Sequence, residues 1–434
     1  MDLVLMLLPL IAIIVILVLK KHMLVAGVVG GLVAVAVSWI LYSMGDLEAG
    51  YDFAAVNTAV MEGIKSMLSG FLAPIIYAAG AVMVARSGSF KALIEVFNRL
   101  LKGKLAWLAA FIVLVQALAT YMAGMGAGNT MVIAPLMFAA VGFIPEVVAG
   151  MAIATAVCFT TSPASTETGY AAMAAGMDIN QFANMMLPFT IVIVVLGAAL
   201  AFYGVYRKQK ATDTQTSGLV VDEYKGLTTK QLVVRFVPAL VLVLLVIFGG
   251  PFNKLIKFNI FLPIINVAIA MVLCFFCCKE SSNTICENLI DGSRFILTTL
   301  FGVGIFLGFI NLVDGLGTFA RLASIIGEAP EFLITLLACV FAFIIAIPSG
   351  AFCAGVLALI MPTLSLIPEI SPLAFGLIAI SAGLGTQISP VQINVAALAE
   401  SFHVSIFDVV KKNSKWLMIV GALVAVVGFI VGLI

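Results

Sequence analysis

The sequence predicts an all-α polytopic membrane protein with about ten transmembrane helices, two re-entrant hairpins and an inverted-topology repeat with two broken helices. Three observations lead to this fold class. Apolar residues make up 63% of the 434 residues and charged residues only 10%, with a mean hydropathy of +1.23. Most apolar runs have the length that crosses a hydrocarbon core of ~30 Å as a helix. In addition, a set of glycines and prolines recurs at one fixed spacing.

The apolar runs define the predicted crossings. A soluble domain carries about a quarter charged residues, so this chain has too few to cover a water-exposed surface. Hydropathy therefore places ten crossings in the chain. They occupy residues 3–19, 23–43, 67–85, 147–176, 187–206, 232–249, 260–278, 290–312, 372–400 and 416–434.

Two further apolar stretches differ in kind, because small residues and turn formers interrupt each of them in the middle. Residues 105–143 contain GMGAGN at 124–129, and residues 332–364 contain PSGAFCAG at 348–355. Backbone groups freed at membrane depth are tolerated only where protein or a water-filled cavity satisfies them. We therefore predict that each stretch enters and leaves on one side, as the first and the second hairpin.

The distribution of basic residues predicts the orientation. If Lys20 and Lys21 are cytoplasmic and each hairpin crosses zero times, 18 of the 22 basic residues lie inside. This asymmetry is the positive-inside rule. Both termini then lie on the outer face. The basic inner regions are 20–22, 86–104, 207–235, 279–294 and 411–415, and the outer basic residues are Lys65, Lys254, Lys257 and Arg321.

An internal repeat emerges when the sequence is shifted by 227 residues. We infer a first half at 1–206, a cytoplasmic linker at 207–231 and a second half at 232–434. Five crossings in each half invert the second copy relative to the first. Inverted repeats with paired broken helices are typical of secondary transporters, whose site lies near the midplane. The coinciding pairs are Gly88 with Gly315, Gly128 with Gly355, Pro135 with Pro362, Pro145 with Pro372, and Pro163 with Pro390.

The broken helices at 147–176 and 372–400 carry most candidate site residues. Eight of the nine residues 160–168 are polar or proline, and Pro163 opposes helix continuation. A proline kink patched by hydroxyl groups is the simpler interpretation, but the polar run is longer than a kink requires. We favour a ligand-lined break. The candidates are Thr161, Ser162, Pro163, Ser165 and Thr166 in the first broken helix, and Thr386, Gln387, Ser389, Pro390, Gln392 and Asn394 in the second.

The hairpin tips supply the remaining candidates. Gly128, Asn129 and Thr130 follow the first turn, while Ser349 and Gly350 lie in the second. Exposed amides at the start of a half-helix form an anion site. Glycines for close helix packing are the alternative for both tips. Neither tip and neither break holds a Lys or Arg, so we expect an anionic substrate to depend on helix dipoles, hydroxyl groups, amides and a coupling sodium ion.

Glu167 is the unusual residue of the first broken helix, because its counterpart at the 227-residue shift is Asn394. A lone carboxylate at membrane depth is costly unless it is protonated or paired with a cation. It can cap a half-helix beginning near Gly169, where a carboxylate meets the positive end of the dipole. The alternative, which we favour, is ion coupling by Glu167 together with Asn129 and Thr168.

Other functional classes lack support in the sequence. No nucleophile–His–acid set, phosphate loop or metal-ligand spacing is visible, so we predict neither an enzyme nor a bound cofactor beyond a possible Na⁺. The cysteines in CFFCC at 274–278 are interpreted as helix packing. Basic residues are dispersed, so no nucleic acid is expected. The predicted partners are the lipid bilayer and a small organic anion.

Three segments resemble the DcuC-type anaerobic C4-dicarboxylate carriers of the ion transporter superfamily. They are IPSGAFCAGVLALIMP, TSPASTETGYAAMAAGMDINQFANMMLP and GTQISPVQINVAALAESFHVSIFDVVKKNS. The resemblance implies exchange or Na⁺/H⁺-coupled transport of fumarate, malate or succinate. It also implies a bacterial cytoplasmic (inner) membrane and a homodimer.

In that superfamily, hairpin tips with Ser-Asn-Thr-like motifs bind the carboxylate and sodium. Gly128-Asn129-Thr130 matches that motif with Gly in place of Ser, and the second tip has no Asn. The Ser-Pro-x-Ser-x-Glu-Thr pattern also resembles sodium/proton antiporters. The alternatives are therefore a cation/proton antiporter on the same scaffold and a membrane subunit of a binding-protein-dependent transporter.

The predicted orientation can be tested with single cysteines. We expect a cysteine placed in the linker 207–231 to be shielded from an impermeant thiol reagent in intact cells, because the linker is cytoplasmic. A cysteine at 251–258 should be labelled. The reverse pattern would contradict both the orientation and the inverted repeat.

Overall fold

The structure, a computed structural model, is all-helical over the residues that it describes. These are residues 2–19, 21–70, 72–101, 104–124, 126–212, 224, 226–350 and 353–433. No strand occurs among them. The first half contains the helices α1 (Asp2–Val18), α2 (Met23–Met44), α3 (Phe53–Gly70), α4 (Leu72–Arg86), α5 (Ser89–Leu101), α6 (Leu105–Ala123), α7 (Ala127–Val141), α8 (Pro145–Thr161), α9 (Thr166–Ala174) and α10 (Ile179–Thr212).

The second half continues after the linker, most of which lies outside the described residues. Its α12 runs directly into one π-helical turn at Cys274–Cys278. The helices are α11 (Thr229–Ile256), α12 (Pro263–Leu273), α13 (Ser282–Asp314), α14 (Thr318–Gly327), α15 (Glu331–Ser349), α16 (Cys353–Leu364), α17 (Pro372–Thr386), α18 (Ile393–Ser401) and α19 (Ile406–Gly432).

The expectation of a multi-pass helical membrane protein is confirmed. Within the described segments, seven helices are long and apolar enough to cross a bilayer, and an eighth is counted if α8 and the bent α9 form one span. Several of the ten predicted crossings correspond to shorter helices, among them α1, α12 and α17. The predicted boundaries also shift: the run at 67–85 belongs to α3 and α4, and the run at 290–312 to the longer α13. Helices extend beyond the apolar core, so hydropathy alone underestimates their length.

Helix boundaries follow the 227-residue shift. The starts of α8, α9 and α10 at Pro145, Thr166 and Ile179 correspond to the starts of α17, α18 and α19 at Pro372, Ile393 and Ile406. The two hairpins correspond as well, since α6 and α7 pair in sequence with α15 and α16. The inverted orientation of the two halves stays a prediction.

Small residues bring the helices around the candidate site into close contact. A Cβ on Gly150 of α8 would lie 2.4 Å from the carbonyl oxygen of Gly197 in α10. The two backbones therefore touch, as small residues allow in membrane bundles. An ion pair between the buried Glu146 and the exposed Arg207 joins the same two helices, with 2.7 Å between Glu146 Oε1 and a guanidinium nitrogen. These contacts hold α8 against α10. The C-terminal end of α8, at Thr161, is where the first break begins.

Candidate binding site at the two helix breaks

The first broken helix stops at Thr161 and restarts at Thr166 with a bend of 52°. Short side chains accept the amides that the break exposes. Ser162 Oγ accepts the amide of Ala164 at 3.0 Å, and Ser165 Oγ accepts the amide of Glu167 at 3.1 Å. Helix α9 thus begins three residues before the start near Gly169 that the sequence suggested, because Ser165 is its N-cap.

The second broken helix repeats this arrangement at corresponding positions. Ser389 Oγ accepts the amide of Val391 at 3.4 Å, and Gln392 Oε1 accepts the amide of Asn394. Both bonds span two residues, as in the first broken helix. The two breaks therefore share one local structure, although Ser165 is replaced by Gln392 and Glu167 by Asn394.

Each hairpin tip lies against the break of its own half. Gly124 has a φ of +68°, and a Cβ there would lie 2.3 Å from the carbonyl oxygen of Ala164. Ser162 Oγ also donates to the carbonyl of Tyr121 at 2.5 Å. In the second half, a Cβ on Gly350 would lie 3.1 Å from the Cα of Thr386. Close packing thus accounts for Gly124 and Gly350 themselves.

A buried hydrogen-bond network, here called the polar seam, connects the first hairpin with the second broken helix. Gln116 Nε2 donates to Thr130 Oγ1 at 2.8 Å and to Thr155 Oγ1 at 2.7 Å. Thr130 Oγ1 donates to Asn394 Oδ1 at 2.5 Å, and Asn394 Nδ2 donates to Gln387 Oε1 at 2.7 Å. All five side chains are at most 1% exposed. The polar seam therefore joins α6, α7 and α8 to the other half of the chain.

Glu167 makes the corresponding contact with the second hairpin. Its Oε2 accepts a hydrogen bond from Ser165 Oγ at 2.6 Å, and its carboxylate also accepts the backbone amide of Ala354. Ala354 lies in the first turn of α16. The carboxylate, which is 7% exposed, therefore lies at the starts of two helices, α9 and α16.

The other candidate residues are less uniformly placed. Thr166 is exposed, and Pro163 and Pro390 are half-buried. The Ser349 hydroxyl donates to the carbonyl of Ile345 in its own helix. Thr161 Oγ1 accepts a bond from Thr190 of α10 at 2.8 Å. The side chains or backbones of the remaining candidates are buried, namely Gly128, Asn129, Thr168, Thr386 and Ser389.

Sequence reasoning missed Gln116, Thr120 and Thr155. Gln116 and Thr120 are separated by one helical turn of the otherwise apolar α6 and share a face. Gln116 Oε1 and the Thr120 hydroxyl are buried without a hydrogen-bond partner among the described residues. A buried amide in a membrane helix is costly unless it is paired. The lone glutamine of an apolar helix was therefore the sequence signal that could have identified Gln116.

The site has no cluster typical of a transition-metal centre. Across the described segments, no group of three or more His, Cys, Asp or Glu side chains could hold a metal ion. Its polar groups are hydroxyl groups, amides, helix starts and the carboxylate of Glu167. Such groups suit a carboxylate anion or a hard monovalent cation.

One comparison with known proteins, a family profile, agrees with the sequence motifs. The profile of a family described as DcuC, C4-dicarboxylate anaerobic carrier, matches residues 2–434. No curated protein matches the chain. Among solved structures, the YdaH transporter of Alcanivorax borkumensis is similar over 94% of this chain and 98% of its own, with 15% identity and a TM-score of 0.44.

The polar seam can be tested with Thr130→Val, which keeps the side-chain shape and removes the hydroxyl. We expect a clear loss of thermal stability in detergent, because Asn394 Oδ1 loses its buried donor at a cost of about 1–3 kcal/mol. Thr298→Val is the control, since its exposed hydroxyl donates to the carbonyl of Arg294 within its own helix. Equal melting temperatures for the two variants would contradict the seam.

Proposed function

The chain belongs to the DcuC family of C4-dicarboxylate anaerobic carriers, and from this premise we propose the following function. It moves fumarate, malate and succinate across a bacterial cytoplasmic membrane by exchange or by Na⁺- or H⁺-coupled transport. The observation that best supports the proposal is the unequal charge at the two otherwise similar breaks. Glu167 serves one side, and the neutral Asn394 serves the other.

The difference in charge between Glu167 and Asn394 matters because each residue lies at the starts of two helices. A helix start carries roughly half a positive elementary charge. At α9 and α16, the carboxylate of Glu167 already offsets that charge. At α7 and α18, the described side chains that meet are the hydroxyl of Thr130 and the amide of Asn394, both uncharged. The α7–α18 side is thus the better place for a substrate carboxylate, with Asn129 beside it in the first turn of α7.

The Glu167 side is suited to the coupling ion. Glu167 is a buried carboxylate, and the neighbouring Thr168 hydroxyl has no hydrogen-bond partner among the described residues. Carboxylate and hydroxyl oxygens are ligands for a hard cation, and a carboxylate also carries a proton. Glu167 also caps the two helix starts, because it accepts hydrogen bonds from Ser165 and Ala354. We propose that its carboxylate binds a cation in addition to this capping role.

The proposal is tested by counterflow in liposomes that contain the purified chain alone. We expect labelled external succinate to accumulate when the liposomes are loaded with unlabelled succinate. A cation/proton antiporter would instead move protons in response to a sodium gradient, with no succinate flux. A subunit that depends on a binding protein would show no counterflow until that protein is added.

Asn129→Ala tests the substrate side. A hydrogen bond to a charged partner contributes roughly 1.5–3 kcal/mol, so the apparent affinity for succinate should fall at least ~10-fold. The variant should remain folded and inserted, which size-exclusion chromatography and expression in membranes will show. Unchanged uptake by a normally expressed Asn129→Ala protein would indicate that the tip of the first hairpin serves helix packing and does not bind substrate.

Glu167→Gln tests the ion side. The amide keeps the size of the side chain but neither titrates nor offers a charged ligand. We therefore expect succinate–succinate exchange to persist while accumulation driven by a sodium or proton gradient is lost. If Glu167→Gln still accumulates succinate with the parent's pH and sodium dependence, Glu167 is only a helix cap.

A further inference from the structure

Three cysteines with free thiols lie together at the end of α12, in the π-helical turn Cys274–Cys278. Residues four apart share a face of a helix, so Cys274 and Cys278 lie on the same side of the turn. Phe275 and Phe276, which stand between them in the sequence, are exposed. Cys274 is fully buried and Cys278 is half-buried. The turn therefore pairs a buried thiol with one that a small reagent can reach.

A separate acceptor holds each of these two thiols. The Cys274 thiol donates to Ser87 Oγ, between α4 and α5, at 3.6 Å. The Cys278 thiol donates to the carbonyl oxygen of Arg235 in α11, also at 3.6 Å. In addition, the two thiols lie within hydrogen-bonding distance of each other. These contacts place the two sulfur atoms side by side.

The backbone spacing suits a covalent bond between these sulfur atoms. Residues four apart in an α-helix are separated by about 6 Å along the axis. Disulfides join Cα atoms that are roughly 4.4–6.8 Å apart, so a bond between Cys274 and Cys278 needs little movement of the backbone. Cys277 and Cys278 are chain neighbours, and their Cα separation of ~3.8 Å lies below that range.

A metal site is the alternative for a cluster of cysteines. A structural zinc site takes four protein ligands. In the part of the chain that the structure describes, no group of three or more His, Cys, Asp or Glu side chains could hold a metal ion. The cluster therefore fits thiol chemistry better than metal binding.

We propose that Cys274 and Cys278 form a reversible disulfide when the protein meets a hydroperoxide. The Cys278 sulfur attacks one peroxide oxygen and becomes a sulfenic acid, while the O–O bond breaks and the other oxygen leaves as water or an alcohol. The Cys274 sulfur then attacks the Cys278 sulfur, the S–O bond breaks, and the second oxygen leaves as water. The two thiols lose two electrons and two protons, and the peroxide gains them. A small thiol restores the pair by exchange.

Oxidation changes how α12 is held by its neighbours. A disulfide has no S–H group, so Ser87 Oγ and the carbonyl oxygen of Arg235 each lose a donor. The change occurs beside α4, which also packs against α7 of the first hairpin. The proposal depends neither on the identity of the substrate nor on the coupling ion.

Peptide mapping of the purified full chain by mass spectrometry tests the proposal. The chain is treated with hydrogen peroxide, the remaining thiols are blocked with N-ethylmaleimide, and the peptides are analysed without reduction. We expect the peptide with the three cysteines to lose two hydrogen atoms and to carry maleimide only at Cys277. Dithiothreitol should then restore both thiols. Maleimide on all three cysteines, a disulfide that includes Cys277, or a disulfide between two chains would overturn the proposal.

Cys274→Ser separates the two steps of the reaction. Without the Cys274 thiol the sulfenic acid at Cys278 persists, so dimedone should label Cys278 in this variant and not in the parent. Cys286→Ser removes an exposed cysteine outside the turn and should behave as the parent does. Equal labelling of Cys278 in Cys274→Ser and in the parent would contradict the pairing. Peptide mapping of the parent decides the question should Cys274→Ser fail to fold.

Discussion

The structure depends on one constraint: backbone amides exposed by a helix break inside a membrane must find acceptors within the protein. Two side chains in each broken helix meet that demand by accepting the amide two residues ahead. They are Ser162 and Ser165 in the first half and Ser389 and Gln392 in the second. Because these local bonds hold each break in a defined shape, the half-helices α9 and α18 begin at fixed points and face the opposite hairpins.

The two halves solve the same backbone problem with different electrostatics. Glu167 and Asn394 occupy corresponding positions, and each contacts the returning helix of the other half's hairpin. One contact brings a carboxylate to two helix starts, and the other brings a neutral amide to two helix starts. Two similar breaks thereby acquire unlike environments, which the proposed coupling of an anion to a cation requires.

Local features of this fold were predictable from the sequence, whereas its long-range contacts were not. Pro163 and Pro390 marked the breaks, because proline opposes helix continuation wherever it occurs. The bond between Thr130 and Asn394 joins residues 264 positions apart, and no local pattern in either segment indicates its partner. Gln116 was overlooked for the same reason: its polarity is visible in α6, but its role follows only from Thr130 and Thr155.

The exposed Thr166 shows a second difference between the sequence pattern and the structure. A run of polar residues suggested that every member faces a ligand, but a helical turn distributes neighbours around its axis. Ser165 and Glu167 therefore turn inward while Thr166 between them faces out. Composition identified the polar region, and helix geometry decided which of its side chains are buried at the break.

The first hairpin is held unequally on its two sides. On one side, the polar seam ties it to the second broken helix through buried hydrogen bonds, each worth about 0.5–1.5 kcal/mol net and more when a buried partner is left unpaired. On the other side, residues such as Ile112 and Ile133 line an apolar groove together with residues of α5 and α11. Dispersion contacts are non-directional and re-form after a small displacement, whereas hydrogen bonds require a fixed geometry. The polar seam therefore sets the position of the hairpin against the second broken helix, and the apolar side adapts to that position.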